Sequence, residues 1–181
     1  MRKGLSITSV IGLCFAALFA SASVAAERNI SSEQAGTGFD TAVDTNGDGL
    51  PLSLTFVEGK GTFGHSNVVI TAEFEPSDGN DCKGELEDYF DLVYSAAVST
   101  FPDQSQLYAI AYDGWVCVSE VTGTYYGEVY GLYIGGTGRF EEATGTFMTP
   151  FRGMYLDPAI GFRSYQATVT GSVEVPHGPR R

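Results

Sequence analysis

Two cysteines are the residues whose type and spacing indicate covalent chemistry most directly. Cys82 and Cys117 are the cysteines left outside the N-terminal apolar segment, and a disulfide between them would close a loop of about 35 residues, worth roughly 3–4 kcal/mol in the chain-entropy treatment. The alternative is a reactive thiol, which needs a nearby cation to lower its pKa. Lys83, which follows Cys82 directly, is the cation nearest in sequence. We expect the disulfide.

A second cluster carries oxygen atoms that suit a hard cation. Asp44, Asn46 and Asp48 occupy alternate positions in a glycine-containing stretch, as in the first half of an EF-hand calcium loop. Thr55 stands where the closing bidentate glutamate should be, so a calcium ion would need further ligands from elsewhere in the fold. The other interpretation is an Asx-rich turn that leads into a strand. No other cofactor is expected.

Carboxylates inside a fold would indicate acid–base chemistry, because burial raises their pKa. Glu58, Glu73 and Glu128 all lie in predicted strands, and we expect Glu73 to face water because it alternates with Phe74. Glu128 lies among tyrosines, which suggests a pocket for a small apolar ligand. The alternative is a solvated surface carboxylate, which is the commoner case in a chain this acidic. Core packing and cross-strand pairs are the alternative explanation of these tyrosines. The candidate ligand site comprises Tyr108, Tyr112, Tyr126, Glu128 and Tyr130.

Other catalytic patterns are missing from the sequence. His65 and His177 have no partners at the spacing of a zinc site or a catalytic triad. The glycine run at 135–138 lacks the lysine and the strand-to-helix context of a phosphate-binding loop. The catalytic residues, if the protein is an enzyme, are therefore unassigned.

The elements that must position these residues are predicted to be strands. Period-two alternation places Val68, Ile70 and Phe74 on one face, and the last strand alternates Tyr165, Ala167 and Val169 with polar residues. Residues 52–58, which include Leu54 and Phe56, alternate apolar and polar in the same way. The predicted strands span residues 52–58, 66–75, 92–101, 106–112, 115–118, 123–134, 144–148 and 164–175, with a hairpin at 102–105 and a turn at 113–114.

Eight strands with hardly a helix predict an all-β antiparallel barrel or sandwich. Glycines that alternate with large aromatic residues in 123–134 favour the barrel, because they let a sheet bend sharply around a tapered interior.

The sequences at the two ends of the chain predict domain boundaries and localisation. Residues 1–26 have the basic start, short apolar run and small residues of a signal peptide cleaved after Ala26. Residues 27–43 are expected to be a loose polar leader, 44–175 a single domain and 176–181 a polar tail. We therefore expect an exported protein, periplasmic or extracellular, in a compartment that permits disulfides.

Charge narrows the range of partners. The net charge is −12, and signal cleavage would remove Arg2 and Lys3 and make it two units more negative. Such a field repels phosphate backbones and anionic membranes. We expect no nucleic acid and no membrane partner after signal cleavage, whereas the oligomeric state stays open.

One stretch resembles a known family. Residues 135–145 read Gly-Gly-Thr-Gly-Arg-Phe-Glu-Glu-Ala-Thr-Gly, which resembles the Gly-Gly-Thr-Gly-x-Phe-x-x-Ala-x-Gly signature shared by allene oxide cyclases and dirigent proteins. The resemblance implies an eight-stranded antiparallel barrel of lipocalin-like shape. Members of the first family close an unstable fatty-acid epoxide to a cyclopentenone without a cofactor, and members of the second orient radicals formed by another oxidase. Their catalytic groups lie outside the matched stretch, so none is transferred.

Three functions follow from these observations. We expect a non-enzymatic exported barrel that binds a small apolar ligand or a protein partner. The first alternative is a cofactor-independent cyclase or dirigent-like auxiliary that acts in the barrel cavity. The second is a purely structural secreted domain.

Overall fold

The protein forms a closed antiparallel β-barrel of eight strands. The computed structural model describes residues 26–44, 47, 49, 51–78, 82 and 87–175. Each strand pairs with the next, and the first pairs with the last. The strands are β1 (Ala26–Asp40), β2 (Ser53–Gly61), β3 (Gly64–Pro76), β4 (Glu87–Thr100), β5 (Gln106–Ser119), β6 (Thr124–Thr137), β7 (Thr144–Asp157) and β8 (Phe162–Val175).

Helical structure in the described residues is confined to two short 3₁₀ turns. Gly138–Phe140 links β6 to β7, and Pro158–Ile160 links β7 to β8. None of the helices found in the described ranges is long and apolar enough to cross a membrane. The all-β prediction and the closed barrel are therefore confirmed.

The first strand corrects the prediction of a loose leader at residues 27–43. β1 pairs with β2 along one edge and with β8 along the other, from Ala26↔Val175 to Gly38↔Arg163, and so closes the barrel. Its sequence looks unstructured because Ile30 is its only large apolar residue among the inward positions. Position 36 requires glycine, because a Cβ atom there would lie 2.0 Å from the carbonyl oxygen of Phe56. Backbone pairing and close approach, rather than apolar alternation, hold this strand.

The fifth strand corrects the predicted turn at residues 113–114. β5 runs continuously from Gln106 to Ser119, and its register with β6 shifts between Ala111 and Asp113. The polar pair therefore marks a β-bulge inside one strand. The predicted number of eight strands is right only because two errors cancel. β1 was not predicted, and β5 was predicted as two strands.

The apolar residues that alternate along β3 and β8 face inward, whereas in β2 the alternating apolar residues face outward. Val68 is 3 % exposed, and Val169 and Ala167 are both buried. In β2, however, Phe56 is 48 % exposed and Val57 only 4 %. Phe56 packs on the outside against Phe39, with ring centroids 6.3 Å apart. The alternating apolar residues of β2 therefore make this outer contact, and its buried inner positions are Thr55, Val57 and Gly59.

One end of the barrel is plugged by the stretch that follows β6. Phe140 is 1 % exposed and packs against Phe63 and Phe101, with centroid distances of 5.1 and 4.8 Å. The Arg139 guanidinium lies over the rings of Phe101 and Phe140, and it donates a hydrogen bond to the carbonyl oxygen of Phe63. Phe140 therefore plugs the core at this end of the barrel and closes it.

Candidate functional site

The opposite half of the barrel is hollow. A cavity of about 240 Å³ lies between the inward side chains near the loops that join β1 to β2, β5 to β6 and β7 to β8. Its wall is mostly apolar and is lined among others by Ile70, Phe74, Phe90, Val116, Val129 and Phe151. Water gains little in such a space, so an apolar guest would be favoured.

Inward glycines make room for the aromatic rings of this wall. A Cβ atom on Gly127 would lie 2.7 Å from Cζ of Phe151, and one on Gly153 would lie 2.5 Å from Cζ of Tyr125. The rings therefore lie across the strands instead of filling the centre. The predicted combination of glycines with large aromatic residues is what keeps this half of the barrel open.

The cavity holds one buried cation, Arg163, which is 8 % exposed. Its Nη1 donates to Oδ1 of Asp40 at 2.7 Å and to the carbonyl oxygen of Gly161 at 2.9 Å. Its Nη2 donates to Oγ of Ser53. These bonds join β1, β2 and β8 at the open end, and they balance a charge that would otherwise be costly to bury.

Three tyrosines complete the polar part of the cavity. Burial raises the pKa of Tyr125, Tyr155 and Tyr165 above the ordinary value of a phenol. The Tyr125 hydroxyl donates to the carbonyl oxygen of Ser164 at 2.5 Å. All three phenols therefore stay protonated near neutral pH and act as hydrogen-bond donors rather than as bases.

These raised pKa values predict alkaline unfolding. Because the folded protein holds the phenolic protons more tightly than the unfolded chain, their contribution to stability is complete below the ordinary pKa of 10.0 and is lost as pH rises beyond it. We expect absorbance at 295 nm to show Tyr125, Tyr155 and Tyr165 ionising only as the barrel unfolds. Ionisation of all ten tyrosines near pH 10 with unchanged circular dichroism would contradict this.

The size of the cavity limits its occupant. A narrow extension of about 70 Å³ shares Ile70 and Val129 with the main cavity and reaches Tyr133 and Phe147, whose rings pack 5.2 Å apart. Cavities for drug-sized ligands are about 300–1,000 Å³. A single ring or a short chain fits this interior, and a long fatty chain does not fit fully enclosed.

The predicted ligand residues do not line this cavity. Tyr108, Tyr112, Tyr126, Glu128 and Tyr130 lie on the outer wall, and Tyr112 is 63 % exposed. The Tyr130 hydroxyl donates to Glu128, and Tyr108 donates to Gln106 at 2.9 Å. The tyrosines of β6 divide by parity: Tyr125 and Tyr133 face inward with the glycines, and the even-numbered residues between them face outward.

The sequence held a signal for Arg163 that the prediction missed. Tyr165, Ala167 and Val169 alternate with polar residues in the last strand, and Arg163 has the same parity as these three. A charged residue on an otherwise apolar inner face is a strong indication of a site. Asp40 was missed because β1 was not predicted to be a strand.

The other candidate carboxylates are not in the cavity either. Glu58 is exposed on the outer side of β2. Glu73 also alternates with the cavity-lining Phe74, yet it is only 1 % exposed. The expectation that Glu73 faces water is wrong, because parity gives the face of a strand and not what covers that face.

The disulfide forms as expected. Cys82 and Cys117 are bonded, with their Cα atoms 5.5 Å apart, and Cys117 is fully buried. The bond ties the segment before β4 to the outer side of β5. Neither cysteine is a free thiol in this structure.

The calcium proposal is only partly within the described residues. The carboxylate of Asp44 accepts hydrogen bonds from the backbone N–H groups of Gly47 and Gly49, which is the geometry of an Asx-rich turn. Asn46 and Asp48 lie outside the described residues. Within the described parts of the chain, no group of three or more His, Cys, Asp or Glu residues is placed to hold a metal ion. Calcium binding stays a prediction.

The barrel fold and its interior cavity are the structural features that bear on function. Comparison with protein-family models, with curated proteins and with solved structures finds no match to this chain.

Proposed function

We propose that this protein is an exported ligand-binding barrel of the allene oxide cyclase and dirigent type. Its ligand is a small, largely apolar molecule with one polar group, held in the interior cavity. The observation that carries the proposal is the half-hollow barrel, in which a cavity of about 240 Å³ contains the buried Arg163.

Two properties of the cavity favour a ligand of this kind. The apolar side chains of Phe74, Val116 and Phe151 would gain by excluding water around a ring or short chain. Arg163 and the protonated hydroxyls of Tyr155 and Tyr165 supply donors that would orient a hydroxyl or carboxyl group of the ligand. A filled core would need neither the partly buried pair of Arg163 and Asp40 nor the glycines that leave room for the aromatic rings.

The family type rests on the glycine-rich stretch at residues 135–145 together with the closed barrel. In this chain the stretch forms the turn that plugs the far end, so it supports the type of fold and not a catalytic site. Export rests on the N-terminal sequence, and the Cys82–Cys117 bond suits an oxidising compartment.

A second candidate is a cofactor-independent cyclase or dirigent-like auxiliary. The observation in its favour is that the Asp40 carboxylate, Arg163 and three phenols line one cavity. Such groups could stabilise charge that develops on a bound substrate. A structural role would require no ligand, and the following experiment separates it from both.

The test is binding of small probes by isothermal titration calorimetry. We expect saturable binding of at least one of 1-octanol, octanoic acid and 4-ethylphenol to the wild type. Ala72 faces the cavity, so Ala72→Phe should fill the space and weaken binding by about tenfold or more, as lost burial of an apolar guest would.

The matched control lies on the other face of the same strand. Val69 is 40 % exposed, so Val69→Phe enlarges a side chain on the outer wall and should leave binding unchanged. Absence of binding by all three probes, or equal losses in the two variants, would contradict the proposal and leave the structural role. Conversion of a bound probe or substrate would favour the second candidate.

A further inference from the structure

A second concave surface lies on the outside of the barrel, and its lining shares only Phe151 with that of the interior cavity. It is an open groove on the outer wall of the barrel, and it is lined by residues of β5 to β8, β1 and β2. We name it the outer groove, and its outward side chains include Trp115, Tyr126, Glu128, Arg152, Gln166 and Lys60.

An aromatic cluster forms one side of the outer groove. The Trp115 ring is nearly parallel to that of Tyr89, with centroids 6.3 Å apart, and Tyr126 packs edge-on against it at 5.9 Å. Trp115 and Tyr126 are half-buried, so both keep part of their surface in contact with solvent. Their neighbours fix the orientation of the indole, which lowers the entropy that a ligand would have to restrict.

Hydrogen-bonding groups flank these rings. Glu128 accepts from the Tyr130 hydroxyl, and Gln166 accepts from Nε of Arg152 at 3.4 Å. Arg152 and Gln166 are exposed on neighbouring strands, and Glu128 is directly opposite Trp115. The outer groove thus offers an apolar ring surface beside carboxylate, amide and guanidinium groups.

This combination suits the chemistry of a sugar ring. A pyranose has a face of C–H groups that packs on an aromatic ring, and its edge carries hydroxyls that both donate and accept hydrogen bonds. A groove that is open at the surface accommodates a chain of such rings, whereas an enclosed pocket does not.

Two observations argue against other polymers. The net charge of −12 and the groove's own Glu33, Glu58 and Glu128 repel nucleic acids and acidic glycans. Every strand of the barrel is paired on both edges, so no edge is free to add a peptide as a further strand. A neutral glycan is left as the best match.

We propose that the outer groove binds a neutral oligosaccharide chain, with Trp115 as its central aromatic contact and Glu128 and Gln166 as hydrogen-bonding partners. Trp115, Glu128 and Gln166 do not line the interior cavity, so binding at the outer groove can be tested apart from binding in the cavity.

The protein carries its own reporter for a test. Trp115 is the only tryptophan in the chain, so its fluorescence reports on the outer groove alone. We would titrate the wild type with cellohexaose, xylohexaose, laminarihexaose, mannohexaose and chitohexaose. At least one should produce a saturable change in emission.

Variants assign the response to the groove by calorimetry. Trp115→Ala and Glu128→Gln should each weaken binding by about tenfold or more, as truncation of central contacts typically does. Tyr112→Ala is the matched control, because Tyr112 is an exposed aromatic residue of the same strand that does not line the groove. If Trp115→Ala fails to melt cooperatively, the affinities of Glu128→Gln and Gln166→Ala for the oligosaccharide decide whether it binds in the groove.

The proposal is overturned if no hexasaccharide changes the emission, or if the groove variants bind like the wild type. A saturable response to poly-lysine but to no sugar would also overturn it and assign the groove to a cationic polypeptide.

Discussion

Phe140→Ala is expected to lower the free energy of unfolding by about 3–5 kcal/mol, the usual cost of removing a buried phenylalanine. Phe140 is 1 % exposed and contacts the rings of Phe63 and Phe101 at the closed end. Its loss would leave a void between these rings, and it would also remove one of the surfaces on which the Arg139 guanidinium lies. Urea-induced unfolding followed by circular dichroism measures the change.

The control for this variant is Ile134→Ala on the neighbouring strand. Ile134 is 53 % exposed on the outer wall, so its truncation should change stability by about 0.5 kcal/mol or less. If Phe140→Ala costs no more than Ile134→Ala, the closed end is not a packed plug.

Removal of the disulfide is expected to cost about 3–4 kcal/mol, because the bond closes a loop between residues 35 positions apart. The double variant Cys82→Ser/Cys117→Ser avoids leaving a single free thiol, and it should unfold at a lower urea concentration than the oxidised wild type. Wild-type protein kept in reductant is the matched control and should resemble the variant.

Mass spectrometry gives an independent check of the bond. The exported protein should be two hydrogens lighter than its reduced form. Equal stability of the oxidised wild type and the double variant would contradict the structural role of the bond.

The sequence predicted the strands whose inner and outer faces differ in polarity. β3 and β8 alternate clearly because their inward residues meet the core and their outward residues meet solvent. β1 could not be found in this way, since most of its inward positions are small or polar and its stability comes from pairing with β2 and β8. In β2 Leu54 and Phe56 point outward while Val57 points inward, so alternation identified the strand but not its inner face.

The candidate site was harder to predict because the polarity of a residue does not always show which face of a strand it occupies. Tyrosines are amphipathic, and those of β6 occur on both faces, so their abundance does not indicate a pocket. Parity with Gly127 and Gly131 separates Tyr125 from Tyr126, because only inward glycines leave room for rings across the strand. Arg163 and Asp40 are far apart in sequence, and their ion pair depends on the closure of the barrel by β1.

The central claim is that one half of this barrel is hollow and accepts an apolar guest. A crystal structure determined under xenon pressure tests it most directly, since xenon enters apolar cavities that stay dry. We expect xenon bound among Val116, Val129 and Phe151 in the half that contains Arg163, and none around Phe140. Side chains that fill the space between these residues, with no xenon bound there, would contradict the account.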